Sequence, residues 1–220
     1  FTMTLYIYGS GGLGIEVLDI ILNSNFKQKQ IEFLNDWSKE GDQVQGYVVS
    51  TPNSVVGKGS SSVVIAVGTP KDRHDLRVKI SKIGFDLHPA IKAKSSFVSR
   101  HNFVGLGSII AHNVVVASQA SIGTNTYINV SSIIGHNVMI GNDCSISSQV
   151  NIGGGTSIGD RTYIGMGSLV REGLKIGEDS VVGMGSVVFE DIPSGVIAIG
   201  NPARVIKKND FGILFKNTNS

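Results

Sequence analysis

Cysteine is almost absent from this chain: one, Cys144, in 220 residues. A lone thiol closes no disulfide framework within the chain, which suits a reducing compartment. Charge of one sign is lacking too. Nineteen Lys and Arg against seventeen Asp and Glu leave a net charge of +2, too small and too scattered for a nucleic-acid surface. No apolar run is long enough to span a bilayer and no secretory signal is seen, so the expected setting is cytoplasmic, with no membrane span. Phe1 and Thr2 precede Met3 and read as additions to the natural start. With 41% hydrophobic and 16% charged residues, the chain can hold two ordinary compact units.

What the sequence has in quantity is a period of six. Val98, Val104, Ile110, Val116, Ile122, Ile128, Ile134, Ile140, Ile146, Ile152, Ile158, Ile164, Val170, Ile176, Val182 and Val188 follow one another without a break. Two residues earlier stands mostly a small residue (Ser108, Ala120, Thr126, Ser132, Cys144, Thr156, Ser168, Ser186), and one residue later mostly glycine (Gly123, Gly135, Gly141, Gly153, Gly159, Gly165, Gly177, Gly183). Neither a helix period nor strict alternation produces this. A six-residue unit with one buried aliphatic is a strand too short to bury its own face, so it must stack. Three units close one triangular coil of a parallel β-helix, each coil bonded to the next at about 4.8 Å. Burial of each Ile or Val contributes roughly 1.5–3 kcal/mol, making this ladder the main core. Glycine at the corners is expected for its backbone angles, and Cys144 as a buried space-filler.

Ahead of the ladder, Thr4 to Tyr8 reads as a buried strand, Gly9, Ser10, Gly11, Gly12, Leu13 and Gly14 as a glycine turn, and Val17, Leu18, Ile21 and Leu22 as one face of a helix. Gly9, Gly11 and Gly14 fit the fingerprint that brings a pyrophosphate to a helix N-terminus. A second strand over 31–34 ends at Asn35 and Asp36, where an acidic residue often reaches a nucleoside. A third over 63–67 ends at Gly68 and Thr69, followed by a helix with Leu76, Ile80 and Ile83 on one face. Three strands and two helices make a truncated half of a dinucleotide fold, which argues against a complete nicotinamide site. His88 and Pro89 begin the hinge and Pro193 ends the ladder. The expected division is a Rossmann-like nucleotide-sugar-binding domain (3–87), a β-helix domain (88–193) and a C-terminal turn and tail (194–220), the tail carrying Phe211, Ile213, Leu214 and Phe215.

Four segments carry a resemblance: Tyr6-Ile7-Tyr8-Gly9, Phe33-Leu34-Asn35-Asp36, Asn129-Val130-Ser131-Ser132-Ile133-Ile134-Gly135-His136, and Gly200-Asn201-Pro202-Ala203-Arg204. In this order they resemble the hexapeptide-repeat sugar acetyltransferases that carry an N-terminal nucleotide-binding domain. Bacillosamine, perosamine and viosamine N-acetyltransferases belong there, with sialic acid O-acetyltransferases as relatives. The resemblance implies a left-handed winding and a homotrimer. It also implies acetyl-CoA as co-substrate without a metal, and acetylation of a UDP- or dTDP-linked 4-amino-4,6-dideoxy sugar for surface polysaccharide or glycan synthesis. His136 would be the general base, Asn137 its orienting neighbour, and the Gly154 N–H, one coil along, the contact to the thioester carbonyl. Met166, Met184 and Arg204 would line the acetyl-CoA groove. Tyr8, Gly9, Ser10, Gly11, Gly12, Asn35, Asp36, Gly68 and Thr69 would hold the nucleotide, and Asn129 would meet the sugar.

Imidazole suits the base role through its ordinary pKa near 6.5. By hexad position His112, in Ala111-His112-Asn113-Val114, equals His136, in Gly135-His136-Asn137-Val138; the family's Asn-x-Ser-Ser segment selects His136. His74, His88, His101 and His112 read as surface or hinge residues. Three departures stand out. Asn137 replaces an acidic residue common in the family, and Ser145 and Leu13 replace histidines found in some members. Other readings are O-acetylation of a sialic acid or related hydroxyl and a non-catalytic β-helix scaffold. A γ-type carbonic anhydrase needs two histidines five apart, and this chain has none so spaced.

Overall fold

Each hexad folds as one two-residue strand and a turn, and the ladder residue is the second of each strand, from Val98 to Val188. The computed structural model describes residues 4–24, 30–57 and 61–210. Pairing is parallel at a register of eighteen: Val116 lies beside Val98, Ile134 beside Val116, Ile152 beside Ile134 and Val170 beside Ile152. Three sheets result, the walls of a three-sided prism. From Ile110 to Val188 the ladder residues are at most 4% exposed. The small inward positions are mostly Ser and Thr because their hydroxyls work. Ser108, Thr126, Ser132, Thr156 and Ser168 each donate to a carbonyl fifteen residues on, at 2.7–3.1 Å. Burial pushes the Cys144 thiol up to about 12, which leaves it unreactive.

The glycines after the ladder residues are not where the backbone turns left-handed. Positive φ falls two residues later, at Asn125, Asn137, Asp143, Gly155, Arg161, Gly167, Asp179 and Gly185. Gly135 and Gly165 are needed instead for close approach. A Cβ on Gly135 would come within 2.6 Å of the Gly154 nitrogen, and one on Gly165 within 2.5 Å of the Met184 nitrogen. The expectation that backbone angles demand these glycines is therefore corrected: coil-to-coil contact does.

The wall that begins at Ile91–Lys92 continues past Pro193. Val196–Gly200 pairs in parallel with Val181–Val182, and Ala203–Lys208 returns antiparallel. Phe211, Ile213, Leu214 and Phe215 lie outside the described residues.

The N-terminal unit comprises β1 (Thr4–Tyr8), α1 (Gly12–Leu22), β2 (Gln30–Leu34), β3 (Gln43–Val44), β4 (Tyr47–Ser50), α2 (Pro52–Val55), β5 (Ser61–Ile65), α3 (Pro70–Lys82) and β6 (Asp86–Leu87). Its sheet runs β3-β4-β2-β1-β5-β6, antiparallel only between β3 and β4. It is fuller than the three strands expected: β4 flanks β2 and β6 flanks β5. β5 ends at Ile65, two residues short of the expected strand end.

Arg73 fixes this unit to the prism. Fully buried on α3, it donates from Nε to the Asn125 carbonyl (2.7 Å), from Nη2 to Asn125 Oδ1 (2.9 Å) and from Nη1 to the carbonyls of Ile65 (3.0 Å) and Val67 (2.8 Å). Asn125 donates back to the Arg73 carbonyl and to Asp143 Oδ1. Arg77 reaches Asp143 at 2.6 and 2.8 Å and His74 Nδ1 lies 3.0 Å from its Oδ2. Burial lowers the Arg73 guanidinium to about 10, the Asp143 charge opposing. Burial alone would raise the Asp143 carboxyl, but bonds from Arg77, Asn125 and His74 hold it below its ordinary value.

Candidate functional site

The glycine turn between β1 and α1 divides its labour. A Cβ on Gly9 would lie 2.5 Å from the Ala66 carbonyl oxygen, and one on Gly14 would strike the Gly9 carbonyl, so packing requires both. Gly11, Gly12 and Gly68 face open space. α1 starts at Gly12 with no side-chain cap and no acidic residue in its first turn. Its first N–H groups are therefore available to an anion. Opposite them is the prism wall formed by Tyr127–Ile128, Ser145–Ile146 and Tyr163–Ile164. A cavity of about 460 Å³ lies between, lined by Gly12, Leu13, Glu16, Gly68, Thr69, Tyr127, Asn129, Ser145, Ser147 and Tyr163. Four sequence-expected residues, Gly12, Gly68, Thr69 and Asn129, thus share one space.

At the C-terminal end of β1, next to the glycine turn, the Tyr8 hydroxyl donates to Asp36 Oδ1 at 2.9 Å, and Lys79 from α3 binds the same oxygen and the Tyr8 hydroxyl (3.2 Å). Asn35 donates to Ser10 Oγ at 2.8 Å, tying the end of β2 to the glycine turn. The Tyr8 phenol is raised, chiefly by burial.

His136 stands at the corner after Ile133–Ile134, exposed and outside the core. Its Nδ1 lies 2.9 Å from Asn137 Oδ1, and Asn137 Nδ2 donates to Gln119 Oε1 at 2.9 Å. With Gln119 accepting from the amide nitrogen, the amide oxygen faces the ring. Nδ1 then carries the proton, and Nε2 keeps its lone pair. The ring lies in the space a side chain on Gly154 would fill: a Cβ there would be 2.6 Å from Nε2 and 2.7 Å from Cε1. The Gly154 carbonyl accepts from Gly173, while its N–H makes no hydrogen bond among the described residues. His112, bonded to Ser95 Oγ (2.9 Å), sits at a different corner, after Ile109–Ile110.

The expected site residues do not all converge within one chain. Met166 and Met184 stack at the corner after the cavity-bearing wall, both exposed. Arg204 pairs with Ile199, whose side chain covers Gly183 beside Met184. His136 and Gly154 stand at the next corner, one wall away. That intervening wall shows Phe97, Val115, Ile133 and Leu169 to solvent. The proposed acetyl-CoA set is therefore split between two edges of an apolar face.

Sequence reasoning missed Gln119, Glu16, Tyr127, Ser147 and Tyr163 as site residues, and treated Ser145 only as a departure from relatives. The eighteen-residue register carried the signal: Gln119 precedes Asn137 by one coil, and Tyr127, Ser145 and Tyr163 are successive outward positions on one wall.

Known protein families match three stretches of the chain. Residues 4–80 match the PglD N-terminal domain, 132–167 the hexapeptide repeat of succinyl-transferase, and 155–190 the bacterial transferase hexapeptide of six repeats. The chain is 30% identical over 223 residues to GDP-perosamine N-acetyltransferase of Escherichia coli O157:H7, covering 96% of this chain and 100% of that protein. Among solved structures it is similar to PerB of Caulobacter crescentus in complex with CoA and GDP-perosamine (28% identity, TM-score 0.82, covering 92% and 97% of the two chains). It is also similar to the acetyltransferase domain of PglB from Neisseria gonorrhoeae with acetyl coenzyme A (26%, 0.85, 92% and 98%) and to WeeI from Acinetobacter baumannii (28%, 0.86, 93% and 100%).

Proposed function

This chain belongs to the acetyl-CoA-dependent nucleotide-sugar N-acetyltransferases built on a left-handed β-helix of hexapeptide repeats, and we propose that His136 is its general base. The observation that carries the assignment is the chain Gln119–Asn137–His136 lying over Gly154. It leaves Nε2 as a proton acceptor beside a backbone N–H that makes no hydrogen bond among the described residues. As the sugar amine attacks the acetyl carbonyl carbon, Nε2 takes the amine proton and the C–S bond to CoA breaks. The Gly154 N–H donates to the carbonyl oxygen while it carries negative charge. Asn137 fixes the tautomer without adding a charge. The acetyl group ends on nitrogen and the proton is passed to the departing thiolate.

The nucleotide is assigned to the glycine turn, with the pyrophosphate at Gly11, Gly12 and the start of α1, and the base at Asp36. One Asp36 oxygen is held by Tyr8 and Lys79. The other can accept one imide N–H while Lys79 donates to a neighbouring carbonyl, a pattern that fits uracil or thymine. Guanine would ask for two free acceptors. The substrate is thus read as a UDP- or dTDP-linked 4-amino-4,6-dideoxy sugar, with the reaction in the cytoplasm. The curated relative's GDP-perosamine is the competing reading.

A homotrimer completes the site. Three prisms with their apolar faces turned to a common axis bring one edge of each face against the other edge of the next. His136 and Gly154 of one copy would then meet Met166, Met184 and the Asn129 rim of its neighbour. Light scattering at micromolar concentration should give a trimer; a monomer active at the same concentration refutes this assembly. Incubation with acetyl-CoA and UDP-, dTDP- and GDP-linked 4-amino sugars, followed by thiol release and product mass, tests the substrate. In the same assay His136→Asn should lower kcat by roughly 10²–10⁴-fold while His112→Ala leaves it unchanged. An unaffected His136→Asn enzyme would show that another group takes the proton.

A further inference from the structure

An amide, not a carboxylate, stands beside the His136 ring. Asn137 lies between that ring and Gln119: its Oδ1 is 2.9 Å from His136 Nδ1, and its Nδ2 donates to Gln119 Oε1 at 2.9 Å. Gln119 occupies the same corner one coil earlier, and both residues are left-handed there, with φ of 61° and 57°. The Asn137 backbone N–H is bonded to the Ser118 carbonyl at 3.0 Å, which anchors the residue. One coil later the position is Gly155, with no side chain to offer. Among the described residues, the ring and Gln119 are therefore the two side chains that orient the Asn137 amide.

A chain of two amides has a property that a carboxylate lacks. Each amide carries a donor on one side and an acceptor on the other. If both turn over, every hydrogen bond survives with its direction reversed: Gln119 Nε2 donates to Asn137 Oδ1, and Asn137 Nδ2 donates to His136 Nδ1. The neutral ring then carries its proton on Nε2, the atom that must accept the amine proton. A carboxylate at either place only accepts, and so permits one direction alone. The direction found in the structure is the one that leaves Nε2 open.

We propose that Gln119 is a positioning residue for the reaction: its side-chain oxygen, one coil from the ring, sets the direction of this chain and with it the tautomer in which His136 works as a base. The inference rests on the reading of His136 as the general base. It adds that the donor or acceptor character of a residue making no hydrogen bond to the ring decides whether the base is competent.

Substitutions that only donate or only accept separate direction from shape. Gln119 is exposed, and Lys and Glu are unbranched like glutamine, so the prism should stay folded in both. Gln119→Lys donates to Asn137 Oδ1 and turns the amide nitrogen toward the ring. A hydrogen bond from a charged group favours that reversal about tenfold or more, so kcat should fall about tenfold while KM for either substrate holds. Gln119→Glu should keep the Nδ1–H tautomer and move the acid limb of kcat/KM to higher pH, because its charge favours the imidazolium. In an Asn137→Asp background the neighbour of the ring only accepts, whatever stands at 119, so Gln119→Lys should there cost less than about twofold. Equal losses in the two backgrounds would mean that Gln119 merely supports the corner, and overturn the proposal. Nitrogen NMR of protein labelled in its five histidines, at about pH 8 where imidazole is neutral, reads the tautomer without turnover. The His136 signals are those missing from His136→Asn. The unaltered protein and Gln119→Glu should show Nδ1–H, and Gln119→Lys Nε2–H; one tautomer in all three overturns the proposal. If His136→Asn retains full kcat, the base reading fails instead, and the tautomer comparison still decides what Gln119 does.

Discussion

Gly154→Ala isolates the contact on which the catalytic assignment stands. The added methyl would lie 2.6 Å from His136 Nε2 and 2.7 Å from Cε1, whereas carbon contacts settle at about 3.5–4.0 Å. The ring must therefore retreat by about 1 Å. It lies at an exposed corner and is free to do so, which places the cost in catalysis and not in folding. A misplacement of about 1 Å at a reacting group can lower the rate about 10²-fold. Gly154 has no positive φ, so alanine meets no backbone strain, and the melting temperature should stay within about 2 °C. Thiol release under saturating substrates reads kcat, and a thermal melt reads the fold. The double variant supplies the refutation. If alanine acts by moving His136, then Gly154→Ala in a His136→Asn background should cost little more than His136→Asn alone. Multiplicative losses, or full activity in Gly154→Ala, would falsify the assignment of this pair.

Asp36→Ala should raise KM for the nucleotide sugar about tenfold or more, as loss of a charged hydrogen bond does, and leave KM for acetyl-CoA unmoved; steady-state kinetics with each substrate varied shows whether the effects separate. Asp143, held below its ordinary pKa by Arg77, Asn125 and His74, contributes stability that is fully present above about pH 4 and is lost as pH falls through its lower folded value. Melts of Asp143→Asn from pH 3 to 7 should show a flatter acid limb than the unaltered protein; identical limbs would place the acid sensitivity elsewhere. Asn137→Asp sets a carboxylate beside the ring, favours the imidazolium, and should move the acid limb of kcat/KM to higher pH. An unmoved profile would mean that this neighbour does not face the base.

The ladder was legible because burial dictates it: an inward position every six residues admits only an aliphatic of fixed size, and the structure keeps Ile110 through Val188 in that place. The role of the following glycines was not legible, since a glycine excluded by a neighbouring coil and one bent to positive φ look alike in sequence. His136 and Gly154 could be paired by counting eighteen. Their partner Gln119 obeys the same count but carries no distinctive chemistry. Arg73 was invisible: within Pro70-Lys71-Asp72-Arg73-His74-Asp75 it looks like one more solvated charge, and only the docking of α3 on Asn125 buries it. β4 escaped because four residues with one buried member, Val49, give too short a pattern to score.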